Sequence, residues 1–397
     1  MSTLAVPGLA QEVRRYGVFD ANACLNCGSC TVVCNLAEGR ASFPRRPMQL
    51  TILGLKESVH ASLEPWLCHD CGDCSTTCPR QAEPRESMMT LRRYLAAEYD
   101  ITGLTSKILC SKAWEIVAIS FTALLVFALA LLYHLYYVDL ALPDMISTPM
   151  GLEHMFNTIT YFTVVVYLIP VLILLLNGIR MYRFTMRGER GGKIPLRLYL
   201  REAWTMFAHM VSHENMRKCM AAIQKRRWTK HWLMGLGCSL MVVITLFFLK
   251  WFQTDSIYPI YNPQRWLGYF ATAVLIYVPL DIIIGRIRKK EEMHKFSVIS
   301  DLTLPVMLLL VAVSGIAVHI FRYLDFALTC HYAYAVHLAI TVPLLVVELP
   351  FGKWSHVIYR PLAIYFQAVR EKALAEAGPA TEGEPATELT LKGTQAA

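Results

Sequence analysis

Charge is scarce in this chain. Only 17% of its 397 residues are Asp, Glu, Lys or Arg, while 55% are hydrophobic. A soluble domain carries about 25% charged residues, so a deficit of this size points to burial in lipid. Basic residues are missing altogether from three stretches, 138–156, 253–264 and 323–332. The sequence Cys-x-x-Cys-His does not occur, which excludes covalent attachment of a c-type haem. Residues 1–23 contain no apolar core stretch of the kind that opens a secreted chain. The cysteines that follow are therefore expected to stay in a reducing cytoplasm.

Cysteine, by contrast, is concentrated. Eight of the twelve fall in two runs, "CLNCGSCTVVCN" from Cys24 and "CHDCGDCSTTCP" from Cys68. Both follow C-x2-C-x2-C-x3-C. Three closely spaced cysteines wrap one face of a 4Fe–4S cube, and the fourth reaches the other cube in two-cluster ferredoxins. This crossing assigns Cys24, Cys27, Cys30 and Cys78 to cluster one, and Cys68, Cys71, Cys74 and Cys34 to cluster two. Small residues at Gly28, Ser29 and Gly72 let backbone amides approach the sulfurs. The proline that usually follows the fourth cysteine is present as Pro79 but replaced by Asn35. A zinc site would need two Cys-x-x-Cys pairs rather than two complete runs.

Six stretches have about the 20 apolar residues needed to cross a bilayer as helices: 114–137, 156–180, 231–252, 266–285, 300–322 and 333–352. The loops between them alternate. Residues 180–230 contain thirteen Lys and Arg and 286–295 contain five, whereas the three stretches named above contain none. The net charge of +8 is thus a topology signal and not a nucleic-acid surface. It places both termini and the cysteine region in the cytoplasm, with the chain threaded through the inner membrane. The expected organisation is a lead-in over 1–20, a two-cluster ferredoxin domain over 21–105, a membrane domain over 110–370 and a disordered tail over 371–397. Within the membrane domain, about 195–230 is expected to be an amphipathic helix on the inner surface. An amphipathic helix is expected between the cysteine runs, and another after Pro84. The fold class is an all-α bundle of six transmembrane helices, preceded by a mostly helical two-cluster ferredoxin domain.

Electrons held beside a membrane need a carrier within it, and non-covalent haem b held by two histidines suits this chain. Neutral imidazole is a good iron ligand, and an ionisable residue inside a membrane is a functional candidate. A lone histidine at a helix end is more often a polar anchor, so pairing by depth is the criterion. His337 and His356 stand 19 residues or about 28 Å apart along the sixth span. His231 matches His356 near the inner surface, and His319 matches His337 near the outer one. A straight helix would leave His337 and His356 about 100° apart; a kink or π-bulge after Pro343 would restore a common face. His331 and His154 remain alternatives for the outer haem, with His209 and His213 on the inner side. Glu348 and Asp281 are the candidate quinone or proton residues.

The stretch "VHLAITVPLLVVELPFGKWSHVIYRP" resembles the final helix of the nitrate reductase gamma-subunit family of diheme cytochromes b. His337, His356 and Pro350-Phe351 match that family's positions, although its two histidines stand one residue closer together. The family's other two ligands share one helix, here the third span. His231 matches the inner one, while Met241 stands near the outer position; His319 is a substitute chosen from this sequence alone. "SHENMRKC…RRWTKH" resembles the stretch that precedes such cytochromes. Residues 21–100 are similar to the C subunit of heterodisulfide reductase. The two parts joined in one chain resemble the C subunits of quinone-interacting membrane-bound oxidoreductases, over about 20–370. That resemblance implies menaquinone as substrate, two haems b and cytoplasmic flavin- and iron–sulfur-containing A and B subunits. It also implies a link to adenylylsulfate reductase in dissimilatory sulfate reduction. No Cys-Cys-Gly motif is present, which favours an electron conduit over a thiol–disulfide enzyme. A haem-free membrane-anchored ferredoxin, or a subunit of another heterodisulfide reductase-like complex, is the alternative.

Overall fold

The computed structural model describes residues 5–37, 42–137, 152–186, 194–213, 222–252, 257–289, 291, 294–297 and 300–376. Among them every regular element is helical. The chain divides into two units, one of Met1–Cys110, Leu174–Lys225 and Ser355–Ala397, the other of Ser111–Ile173 and Arg226–Trp354. The stretch from the later turns of the second span to the start of the third, and the stretch after the sixth, thus group with the cysteine region.

In the first unit the helix Pro84–Tyr99 is the central element. Proline at its first position lacks only an N–H that no helical partner would take. It buries Met88, Leu91, Tyr94, Leu95 and Tyr99. The expected lead-in is part of this core: Leu9 and Val13 are buried on the helix Leu9–Arg14, and Tyr16 meets the Tyr94 ring edge-on at 5.6 Å. Between the cysteine runs, three short helices, Arg45–Ile52, Lys56–His60 and Glu64–Leu67, replace the single helix expected. Gly54 ends the first of them in the left-handed region at φ 73°. A side chain there would meet the Val6 carbonyl oxygen at 2.5 Å.

Four aromatic rings join this region to the Leu174–Lys225 and Ser355–Ala397 stretches of the same unit. Tyr359 lies 5.2 Å from Trp66 and 5.5 Å from Tyr99, and Phe184 lies 6.1 Å from Tyr99. Tyr359 is fully buried. Its replacement by alanine is expected to destabilise the unit by about 3–5 kcal/mol, read as faster hydrogen exchange in Pro84–Tyr99. Unchanged protection there would show that the rings are not what fastens these stretches together.

The expected inner-surface helix is shorter than the sequence indicated. It runs from Leu196 to Ser212 and ends at His213 in a left-handed conformation. From Ala222 onward the chain already belongs to the third span. Leu198, Glu202 and His209 face inward, while Leu196, Leu200, Trp204, Phe207 and Val211 form an exposed apolar stripe at helical spacing. It packs on the helix His356–Glu376, where the Tyr365 hydroxyl donates to the Tyr199 carbonyl at 2.9 Å. This helix continues to Glu376, past the expected start of the tail at 371. Residues 377–397 lie outside the described residues.

Among the described residues, six helices have the length and apolarity to cross a membrane. They are Lys112–Tyr137, Leu152–Met186, Ala222–Phe247, Pro263–Ile287, Ser300–Tyr323 and a sixth beginning as Ala327–Pro343. In the second unit the sixth span packs between the first and the fifth, and the fifth against the fourth. Gly237 of the third span lets the fourth approach closely; a side chain there would meet Val274 at 3.3 Å. After Pro343 the sixth span passes through a π-helical turn, Leu344–Glu348, then one α-turn, Leu349–Phe351. Proline cannot donate to the helical ladder, which favours such a local change. The chain turns extended at Gly352, so His356 is not on the sixth span as expected but opens the next helix.

Candidate iron–sulfur centre and membrane histidines

The two cysteine runs fold alike. Asn26 and Asp70 both take left-handed backbone angles, as do Gly28 and Gly72 two residues later. Asn, Asp and Gly are the residues that tolerate this region. Each glycine then caps a one-turn helix, Ser29–Val32 or Asp73–Thr76, and these two helices pack together. The result is two cavities. One is lined by Cys24, Cys27, Cys30 and Cys78; the other by Cys34, Cys68, Cys71 and Cys74. Each cavity thus draws three cysteines from one run and the last from the other. Among the described residues no three His, Cys, Asp or Glu side chains converge on a single-ion site.

Backbone amides and cations surround the sulfurs. Asp70 N–H donates to Cys68 Sγ and Ala82 N–H to Cys78 Sγ, both at 3.4 Å. Arg45 Nε donates to Asn26 Oδ1 at 2.7 Å, and Arg85 Nε donates to Asp70 Oδ1 at 2.6 Å. Each arginine therefore clamps the left-handed residue of one loop. Arg92 donates to the Pro65 carbonyl at 2.6 Å and to the Cys68 carbonyl. Burial pushes the Cys71 thiol up to about 12 and raises those of Cys30, Cys68 and Cys74 as well. At exposed Cys27 the hydrogen bond with Ser29 lowers it instead. Thiolates are the iron ligands, so positive charge within each cavity is needed to hold the buried set ionised. Sequence reading overlooked these arginines. Their signal was a second echo, since Pro44-Arg45 and Pro84-Arg85 each stand where a helix begins to pack on a cysteine loop.

Away from the cavities, His60 lies between Tyr94 and Glu98, with Nε2 at 3.2 Å from each. Burial alone would raise the Glu98 carboxyl; the bond with His60 and the charges of His60, Lys56 and Arg180 outweigh it and hold the group below its ordinary value. A carboxyl depressed in the folded state adds stability above its unfolded pKa, lost as pH falls through the folded one. Acidification through and below the ordinary value of 4.5 is expected to loosen Pro84–Tyr99 in the native chain. Glu98→Gln should remove that part of the pH dependence, measured by hydrogen exchange against pH.

The membrane histidines differ in what their ring nitrogens face. His337 of the sixth span has Nδ1 at 2.9 Å from Ser314 Oγ of the fifth, and Nε2 at 3.5 Å from Thr341 Oγ1. Gly315 lies against the ring; a side chain there would meet His337 Cε1 at 3.2 Å. A ring oriented through Nδ1 with Nε2 available suits an iron ligand. His319 is engaged at both nitrogens, with Arg265 at 3.2 Å from Nδ1 and the Tyr269 hydroxyl at 2.9 Å from Nε2. Binding iron there would require giving up one partner. His231 lies within the third span and His331 within the sixth. The His209 and His213 rings meet edge-on at 6.2 Å. The side chain of His154 lies outside those described. Asp281 is paired with Lys230 at 2.5 Å.

These loops and cavities define a dicluster iron–sulfur domain, carried by a chain with six membrane-length helices. Residues 20–82 match the 4Fe–4S dicluster domain family. The chain is 33% identical over 97 positions to a heterodisulfide reductase C-subunit-like protein of Archaeoglobus profundus, covering 24% of this chain and 52% of the relative. It is 35% identical over 74 positions to a second iron–sulfur C subunit of the CoB–CoM heterodisulfide reductase of Methanocaldococcus jannaschii, covering 19% and 39%. For the corresponding iron–sulfur C subunit of Methanopyrus kandleri the figures are 32% over 96 positions, 24% and 48%. The chain spans about half the length of the curated relatives it matches, or less. No solved structure matches it.

Proposed function

We propose that this chain is the membrane-embedded electron-transfer subunit of an oxidoreductase complex. It links menaquinone in the inner membrane to flavin- and iron–sulfur-containing subunits in the cytoplasm, serving adenylylsulfate reductase in dissimilatory sulfate reduction. Both termini and the iron–sulfur domain face the cytoplasm. Cys24, Cys27, Cys30 and Cys78 hold one 4Fe–4S cluster, and Cys34, Cys68, Cys71 and Cys74 the other. His337 with His319 or an alternative, and His231 with His356, hold two haems b. Bound clusters and haems supply one-electron steps; the chain's own residues position them, offset their charge and exclude water. Glu348 and Asp281 are the groups available to move the protons of a quinone.

The observation that carries this reading lies in the first unit. His69, between Cys68 and Cys71, has Nδ1 at 3.2 Å from Arg360 Nη2. Arg360 stands one turn beyond His356 on the same helix. The second cluster loop is thus fastened to the helix that begins at a proposed haem ligand. An absorption spectrum of the intact protein, purified anaerobically in detergent and followed through a redox titration, tests the proposal. Two haems per chain with bis-histidine bands support it. Iron–sulfur absorption without haem, in material that has lost no cofactor, replaces it with a membrane-anchored ferredoxin, a reading that the engaged nitrogens of His319 favour.

A further inference from the structure

The sixth span leaves the α-helical path at one place, and a carboxyl group sits at its end. Glu348 is the last residue of the π-helical turn and is 2% exposed. Its carboxyl meets that of Glu115, which lies in the first turn of the first span and is 5% exposed. Glu348 Oε1 has no hydrogen-bond partner among the described residues. The site is shaped to hold this group: a side chain on Gly352 would lie 2.3 Å from Glu348 Oε2. Gly352 has φ −93°, an angle open to any residue, so glycine is required there by space and not by backbone strain.

Two carboxylates in contact away from water cannot both remain charged. The neighbouring charges allow a count. Lys353 follows on the turn after the sixth span, facing Glu348 and paired with Asp301 of the fifth. Arg286 of the fourth lies 3.7 Å from Asp301 and donates to Ser297 Oγ at 3.0 Å. Three carboxyls, Glu115, Glu348 and Asp301, thus accompany two cations. One proton on the glutamate pair makes the five groups neutral. Asp301, Lys353 and Arg286 are more exposed than the pair, at 11%, 21% and 20% of their side chains, and lead toward the basic loop 286–295.

We propose that Glu115 and Glu348 share one proton and form a proton-transfer station, connected to water on the basic-loop side through Lys353, Asp301 and Arg286. A proton arriving from the membrane bonds to the unprotonated carboxylate oxygen, and the proton already held leaves toward Asp301, so charge is restored at each passage. Glu115 is the member that sequence reading missed. Use of the station by a quinone rests on the function proposed above; the shared proton does not.

Infrared spectroscopy of the full chain in detergent, exchanged from H₂O to D₂O, tests the pair. The native protein is expected to show a protonated-carboxyl band that shifts in D₂O and is lost in Glu115→Gln and in Glu348→Gln alike. Gly352→Ala, which removes no acid, is expected to shift the band by displacing the Glu348 carboxyl. No such band in the native protein, or a band that survives both glutamine variants, overturns the proposal. A second measurement addresses the quinone: reduction of the clusters by menadiol should slow about 100-fold in Glu348→Gln, with reduction by dithionite unchanged. The band present with menadiol reduction absent even in the native chain would keep the shared proton and sink the quinone reading.

Discussion

Cys34→Ser is expected to remove the same cluster as Cys74→Ser, although the two residues belong to different runs. Cys34 lines the cavity of Cys68, Cys71 and Cys74, while Cys78 lines that of Cys24, Cys27 and Cys30. Serine's hydroxyl has a pKa far above that of a thiol and does not replace a thiolate on iron at neutral pH. Each substitution should therefore cut the iron content by about half. Electron paramagnetic resonance of the reduced protein should show an identical surviving signal in Cys34→Ser and Cys74→Ser, and a different one in Cys30→Ser and Cys78→Ser. Pairing by run, with Cys34→Ser resembling Cys30→Ser, would show that the cavities are not the cluster sites. The effect is expected to be larger at the second cavity. Its Cys68 and Cys74 are buried, so losing the cluster there leaves an apolar hollow beside the positive charges of Arg85 and Arg92.

Loss of one of two haems is the expected result of His337→Leu. Its Nδ1 is oriented by Ser314, its ring rests on Gly315, and Nε2 lies at the long distance of 3.5 Å from Thr341 Oγ1. His319→Leu is expected to have a smaller effect on haem, because Arg265 and Tyr269 already engage both nitrogens. The haem-to-protein ratio, measured as the pyridine haemochrome, should fall by half in the first variant. An unchanged ratio in His337→Leu would remove it from the ligand set. A halved ratio in His319→Leu would mean that Tyr269 and Arg265 yield when haem binds.

What the sequence made legible follows from the range of the interactions involved. The C-x2-C-x2-C-x3-C spacing is a local constraint, and it identified eight residues that the structure gathers round two cavities. Hydropathy is summed over a span, and the six helices lie over the expected stretches, with ends displaced by up to nine residues where the third begins at Ala222 and not at 231. The π-turn at Leu344–Glu348 lies where Pro343 indicated a departure from the α-helix. The overlooked features depend on partners distant in the chain. Glu115 and Glu348 are separated by more than half the sequence, and nothing local marks them as neighbours. His319 looked available by depth, but its two partners come from the fourth span. A related case lies in the membrane domain expected over 110–370: Phe184 and Tyr359 fall within that range, yet their rings pack on Trp66 and Tyr99.

The π-turn of the sixth span also sets the register of everything after it. A π-turn holds one residue more than an α-turn. Deleting Leu345 would let the backbone close into an ordinary α-helix, yet everything beyond is turned by about 100° and drawn back by about 1.5 Å. Glu348 would swing away from Glu115, and Gly352 would no longer lie beneath its carboxyl. One codon thus separates a span with an inward acid from a plain membrane helix.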